Sequence, residues 1–135
     1  MSYDIFNPEE LGVPSGWNNG MLAQPGGRVL FVAGQTGRTR AGDIASSDFV
    51  EQFAIALGHV VTVVRAAGGQ AADIGRLTIF VTDLGAYRSS LKDLGRAYRE
   101  HMGRHYPAVA LMEVSDLVDE GALVEIEATA VIPQP

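Results

Sequence analysis

Glu125 and Glu127 stand two residues apart in Val124-Glu125-Ile126-Glu127-Ala128, so on a strand both carboxylates point to one face. A carboxylate held in a cleft and partly withdrawn from water can exchange a proton near neutrality and orient water against an electrophilic carbon. The same spacing suits a solvated strand face, or ion pairs to an arginine across an interface. Trp17, the only tryptophan, offers a stacking surface for a planar substrate or an anchor for its loop on a neighbouring subunit. His101 and His105 have the i, i+4 spacing of a helical metal pair. Gly103 interrupts the helix between them and no acidic third ligand is near, so they read as surface histidines and no metal is expected. Arg38 and Arg40, with Thr36 and Thr39, make a small basic loop that either grips an anion or is simply solvated. Nucleotide cradles and the nucleophile elbow of serine hydrolases have no matching motif, and no cofactor is expected.

The elements that must position these groups follow from periodicity. A short strand near Tyr3 to Phe6 precedes a loop, and Asn19 to Ala23 and Arg28 to Gln35 read as two strands. Gln24-Pro25-Gly26-Gly27 between them has the composition of a hairpin turn. The continuous apolar run Val29 to Ala33 predicts a strand buried on both faces. Gly37 to Ala45 reads as a surface loop. Asp48 and Glu51 form a capping pair, after which Phe49, Phe53, Leu57, Val60, Val64 and Ala67 recur at helical steps until Gly68-Gly69. Leu77, Ile79 and Val81 alternate with Thr78, Phe80 and Thr82 as on a strand. One further helix carries Tyr87, Leu91, Leu94, Tyr98 and Met102, and the strands Ala108 to Val114 and Leu123 to Ile132 follow.

The predicted order β-β-β-α-β-α-β-β makes a mixed sheet, with each strand–helix–strand unit joining parallel neighbours. Two helices cover one face only. The other face is expected to carry Phe80, Val109 and Leu111 beside Glu113, Glu125 and Glu127, too apolar for water and too charged for a dry core. A subunit interface with polar pockets satisfies both constraints.

The 135 residues suit one domain, 1–135. A hydrophobic share of 47% is high for so small a chain and points to surface covered by another subunit. A net charge of −6 opposes non-specific binding to nucleic acid and anionic membrane. The absence of cysteine excludes disulfides, thiolate metal sites and cysteine nucleophiles. Asp4, Glu9 and Glu10 come before any apolar run, so no signal peptide is expected. No apolar stretch is expected to span a bilayer, and a cytoplasmic location follows.

Four segments resemble the RidA/YjgF family, whose older names are endoribonuclease L-PSP and translation initiation inhibitor. They are Leu30-Phe31-Val32-Ala33-Gly34-Gln35, Ala66-Ala67-Gly68 with Asp73-Ile74, Phe80-Val81-Thr82-Asp83-Leu84, and Val124-Glu125-Ile126-Glu127-Ala128. Their order and spacing match over nearly the whole chain, with one extra residue near the second helix. The resemblance implies an α+β, chorismate-mutase-like fold with two helices on one face of a mixed sheet. It also implies a homotrimer with three intersubunit clefts that hydrolyse enamines and imines to ammonia and a keto compound.

Carried over residue by residue, Glu125 matches the cleft carboxylate that handles water or a proton. Trp17 falls where the family commonly has a tyrosine at the cleft mouth, and Ala33-Gly34 falls on a Ser-Gly pair whose backbone lines the pocket. Pro107-Ala108-Val109 stands where deaminating members have Pro-Ala-Arg. That arginine pairs with the substrate carboxylate in the family. A charge-assisted contact of this kind is worth roughly 1.5–3 kcal/mol, so 2-aminoacrylate is not the expected substrate. Arg28 and Arg96 are candidates to replace it.

The expectation is therefore a deaminase-like hydrolase acting on a small reactive nitrogen metabolite, with Glu125 catalytic and Trp17, Ala33, Gly34 and Val109 shaping the pocket. The rival expectation is a non-catalytic trimer binding a small ligand or partner protein in the same clefts. Ribonuclease activity is poorly served by the negative charge.

Overall fold

The computed structural model describes residues 3–135, and Met1 and Ser2 lie outside it. Among the described residues the strands are β1 (Tyr3–Phe6), β2 (Gly20–Ala23), β3 (Arg28–Gln35), β4 (Ile74–Val81), β5 (Ala108–Glu113) and β6 (Val124–Ile132). The helices are α1 (Phe49–Ala66), α2 (Leu84–Ser89) and α3 (Leu91–Met102). β3, β6, β4 and β5 form one mixed sheet in that order, antiparallel except for the parallel pair β4–β5. The architecture is α+β, as expected.

Four details differ from the expectation. The turn at Gly26 (φ 86°) does not close a hairpin, because β2 pairs antiparallel with β1 in a separate two-stranded ribbon. β3 and β4 run parallel, yet β6 inserts between them, so only β4 and β5 are parallel neighbours. The second helix divides at Ser90 into α2 and α3, giving three helices rather than two. Finally, β3 is an edge strand bare on one face: Phe31 is 80% exposed and Val29 58% exposed. A continuous apolar run cannot by itself distinguish a doubly covered strand from one whose cover is another molecule.

α1 forms as its sequence dictates. The Asp48 carboxylate accepts from the Glu51 amide at 2.9 Å, satisfying one of the free donors of the first turn. Phe49, Phe53, Leu57, Val60 and Val64 are all buried. Gly68, at φ 90°, lets the chain leave the helix, and the Gly69 amide closes back on the Val64 carbonyl at 3.0 Å. By length and composition α1 could span a membrane (18 residues, mean hydropathy 1.4), contrary to the expectation that no stretch would. Its apolar stripe is instead packed against β3, β6 and α3 as a core helix.

The core lies between the helices and one face of the sheet. β6 contributes Val124, Ile126, Ala128, Ala130 and Ile132, each buried and alternating with more exposed residues. Buried Gln52 ties the core helix to the loops. Its amide donates to the carbonyls of Ser46 (2.7 Å) and Gly121 (3.0 Å), and its oxygen accepts from the Leu123 amide (2.8 Å). A buried amide so fully paired costs little, whereas one left unpaired would be destabilising.

Candidate functional site

Strand register decides which side chains share a face. On β4 and β6, Phe80 lies opposite Glu125 and Thr78 opposite Glu127, while Ile79 lies opposite Ile126 in the core. On β5, Val109 sits beside Leu77 and Leu111 beside Ile79, which are core residues, while Met112 sits beside Phe80. Val109 and Leu111 therefore lie on the helix side, packed against the core, and not on the open face with Glu125. Glu113 also leaves the open face, because it pairs with Val81 and accepts from the Leu84 amide at 3.0 Å at the start of α2. The expected face was one residue out of step along β5. Ala108-Val109-Ala110-Leu111-Met112 is apolar throughout, so its alternation carries no sign of which parity faces inward.

The expected site residues consequently fall into two groups within one chain. Trp17 and Val109 line a cavity of about 730 Å³ between α3, β5 and the loop around Gly16. Glu125, Gly34 and Ala33 gather on the open face of the sheet.

The open-face group is built on an irregularity in β3. Val32 pairs with Ala128 and Gln35 with Ile126, so Ala33 and Gly34 together oppose the single residue Glu127. Such a bulge takes main-chain groups out of the ladder and is common beside functional sites. The Glu125 side chain lies over it. A Cβ placed on Gly34 would come within 2.2 Å of Glu125 Oε2 and 2.8 Å of its carboxyl carbon. Glycine at 34 thus leaves room for the carboxylate against the strand. Glu125 is half-buried with no side-chain hydrogen bond or ion pair among the described residues, whereas Glu127 is exposed.

The cavity has a different chemistry. Its walls include Phe53, Ile79, Leu94, Val109 and Leu111, with Trp17, Tyr98 and Tyr106 supplying aromatic surface. The Tyr98 and Tyr106 rings stack 5.4 Å apart at 5°. The Tyr98 hydroxyl donates to the His105 carbonyl at 2.6 Å, and burial, helped by Tyr106, holds its phenol well above the ordinary value. Trp17 is 44% exposed at the rim, its indole N–H donating to Asn19 Oδ1 at 3.2 Å. Among the described residues, Arg99 is the only charged one in the lining.

The remaining candidates are occupied elsewhere. Arg38 pairs with Asp119 at 3.8 Å, and the Thr36 hydroxyl donates to the same carboxylate at 2.6 Å, so this loop is tied rather than open for an anion. His101 packs against Gly58 of α1, and His105 donates from Nε2 to the Ile74 carbonyl at 2.6 Å. Both are half-buried, not surface residues, and face different neighbours. Neither Arg28 nor Arg96 lines the cavity; Arg96 pairs with Asp93 at 3.6 Å. Sequence reasoning did not single out Tyr98, Arg99 or Tyr106 as site residues. The helical spacing puts Tyr98 on one face of its helix with Leu91 and Leu94, and only the gap between α3 and the edge strand β5 turns that face into a wall.

The profile of the endoribonuclease L-PSP family matches residues 14–132. A RutC family protein, y4sK, from Sinorhizobium fredii is 38% identical over 103 residues, covering 76% of this chain and 78% of that one. A 2-iminobutanoate/2-iminopropanoate deaminase from Capra hircus is 30% identical over 105 residues, covering 77% of this chain and 73% of that protein. The crystal structure of YyfB from Yersinia pestis, a conserved Rid-family protein of unknown function, superposes with a TM-score of 0.84. It has 28% identity, and the match spans 98% of this chain and 100% of that one.

Proposed function

The chain belongs to the endoribonuclease L-PSP family, the RidA/YjgF group, and from that premise we propose that it is an enamine/imine deaminase-like hydrolase working in clefts between subunits of a cytoplasmic homotrimer. The relative from Capra hircus that is named as an imine deaminase supports the reaction class. One structural observation carries the reading. An unpartnered carboxylate, Glu125, stands on an uncovered apolar sheet face, and a ligand-sized cavity with no carboxylate or histidine among its described lining residues stands on the opposite face. Neither half works alone. Packing the open face of one chain against a second copy covers Phe31 and Val29 and lets a carboxylate from one chain serve a cavity of the next.

The chemistry then runs through addition and collapse. Glu125 takes a proton from water as the oxygen adds to the carbon of the protonated imine, giving a neutral carbinolamine. It passes that proton to the amino nitrogen and then takes the hydroxyl proton as the carbon–nitrogen bond breaks, releasing the carbonyl compound and ammonia, which carries the last proton away as ammonium. For an enamine, carbon is protonated first and the resulting imine follows the same course. Main-chain groups freed by the bulge at Ala33 and Gly34 stabilise the developing polar centre. Trp17 and Val109 shape the cavity around the rest of the substrate.

The test is turnover of imines generated in situ from a panel of amino acids, read as ammonia release. Glu125→Gln is expected to lower kcat by about 10²- to 10⁴-fold with an unchanged fold by circular dichroism. Equal rates for the two proteins remove Glu125 from the mechanism. A second reading, a trimer that binds a small ligand or partner without turnover, is favoured by Val109, which puts an apolar side chain into the cavity. Tight binding of an unreacted ligand, with no acceleration for any imine, selects it.

A further inference from the structure

Resting on the deaminase reading above, we infer that Arg99 is the specificity residue of the cavity, and that the substrate is an imino acid whose carboxylate meets Arg99 while an aromatic or branched apolar side chain fills the space behind it.

The cavity's lining states the ligand's chemistry. A volume of about 730 Å³ falls within the range of small-molecule sites and exceeds what a two-carbon side chain fills. Apolar walls reward burial of an apolar body, and the parallel Tyr98 and Tyr106 rings beside Trp17 offer flat surfaces to a planar group. Against this background the described lining residues carry one charge, and it is positive. Position 109, on the facing strand, supplies only a valine.

Arg99 is also free for the task and held where it is needed. Arg38 and Arg96 are committed to Asp119 and Asp93, while Arg99 makes no ion pair or side-chain hydrogen bond among the described residues. It sits on the last turn of α3, one turn beyond Gly95, and both line the cavity. A Cβ on Gly95 would come within 3.1 Å of Arg99 Nη1, so the guanidinium lies back along the helix over the missing side chain. That placement puts its planar fork at the cavity, the geometry suited to a carboxylate. A lysine would offer a point charge with no fork, so it should substitute only in part.

Equilibrium binding separates the recognition from the reaction. Phenylpyruvate, the keto acid left by hydrolysis of an aromatic imino acid, is the probe. Phenylacetone lacks its carboxylate and pyruvate lacks its ring. Wild type should bind phenylpyruvate at least about tenfold more tightly than either. Arg99→Gln should lose about tenfold for phenylpyruvate and pyruvate alike, with phenylacetone unchanged, and Arg99→Lys should recover part of the loss. Arg96→Gln, on the outer face of the same helix, should change none of the three. Equal phenylpyruvate affinity for wild type and Arg99→Gln overturns the assignment, as does absence of saturable phenylpyruvate binding. Binding with the predicted Arg99 dependence, joined to failure to accelerate any imine, keeps Arg99 as the carboxylate contact of the cavity but removes the deaminase reading, and with it the imino acid as substrate.

Discussion

At the scale of single residues, the proposed chemistry turns on Glu125 and the missing side chain beneath it. The carboxylate is positioned by strand register and by the absence of a Cβ at Gly34. Gly34→Ala would push a methyl group into the space now held by Oε2 and the carboxyl carbon. The obstructing group is the end of a flexible side chain, so the fold should yield by moving the carboxylate. Stability should change by less than about 0.5 kcal/mol, while turnover should fall nearly as far as in Glu125→Gln. Urea denaturation beside the ammonia-release assay checks this, and a fully active Gly34→Ala protein would mean that the carboxylate's seat does not matter. The pair Glu125 and Glu127 was legible in the sequence because alternation on a strand fixes a shared face. Which of them is partly sheltered was not legible, since it depends on the bulge that sets Ala33 and Gly34 against one residue of β6. Arg99 was hidden for a related reason: nothing in its local spacing says that α3 stands away from β5 and leaves a hollow there.

At the scale of elements, the strongest sequence signals were local and mutually consistent. The Asp48–Glu51 cap, the apolar stripe of α1 and the Gly68-Gly69 stop all appear in the structure as read. Failures came where long-range pairing decides. The β1–β2 ribbon, the insertion of β6 between β3 and β4, and the parity of β5 are set by which strands meet, and uniformly apolar stretches leave that open. The junction of α3 with β5 yields a prediction of its own. Burial holds the Tyr98 phenol above its ordinary value, with Tyr106 adding to the effect, so the folded chain retains that proton more firmly than the unfolded chain. The associated stability is fully present below pH about 10 and is lost as pH rises toward the folded value. Wild type should therefore lose urea stability more steeply than Tyr98→Phe above pH about 10, by at most about 1.4 kcal/mol per pH unit. Parallel slopes for the two proteins would show that Tyr98 titrates as it does in the unfolded chain.

At the scale of the whole molecule, the sheet has one face committed to the helices and one that a single chain cannot use. Phe31 at 80% and Val29 at 58% exposure, with Met112 and Phe80 on the same face, form an apolar surface interrupted by Glu125 and Glu127. A surface of this kind marks an interaction face, and in the proposed reading identical neighbours cover it and bring Glu125 of one chain to the cavity of the next. The sequence's high apolar content pointed to buried surface between subunits. It placed Val109 and Glu125 together on one face, whereas the register puts them back to back, so that in the proposed reading each site draws on two chains.

Subunit mixing tests that requirement most directly. Glu125→Gln removes the carboxylate, and Val109→Trp fills the cavity, so each protein alone should be inactive. After the two are unfolded together in equal amounts and refolded, each cleft has an intact carboxylate from one chain and an open cavity from the next in about one case in four. Ammonia release should return to about a quarter of the wild-type rate. Mixed assemblies, verified by mass spectrometry under native conditions, that remain inactive would contradict a site shared between chains.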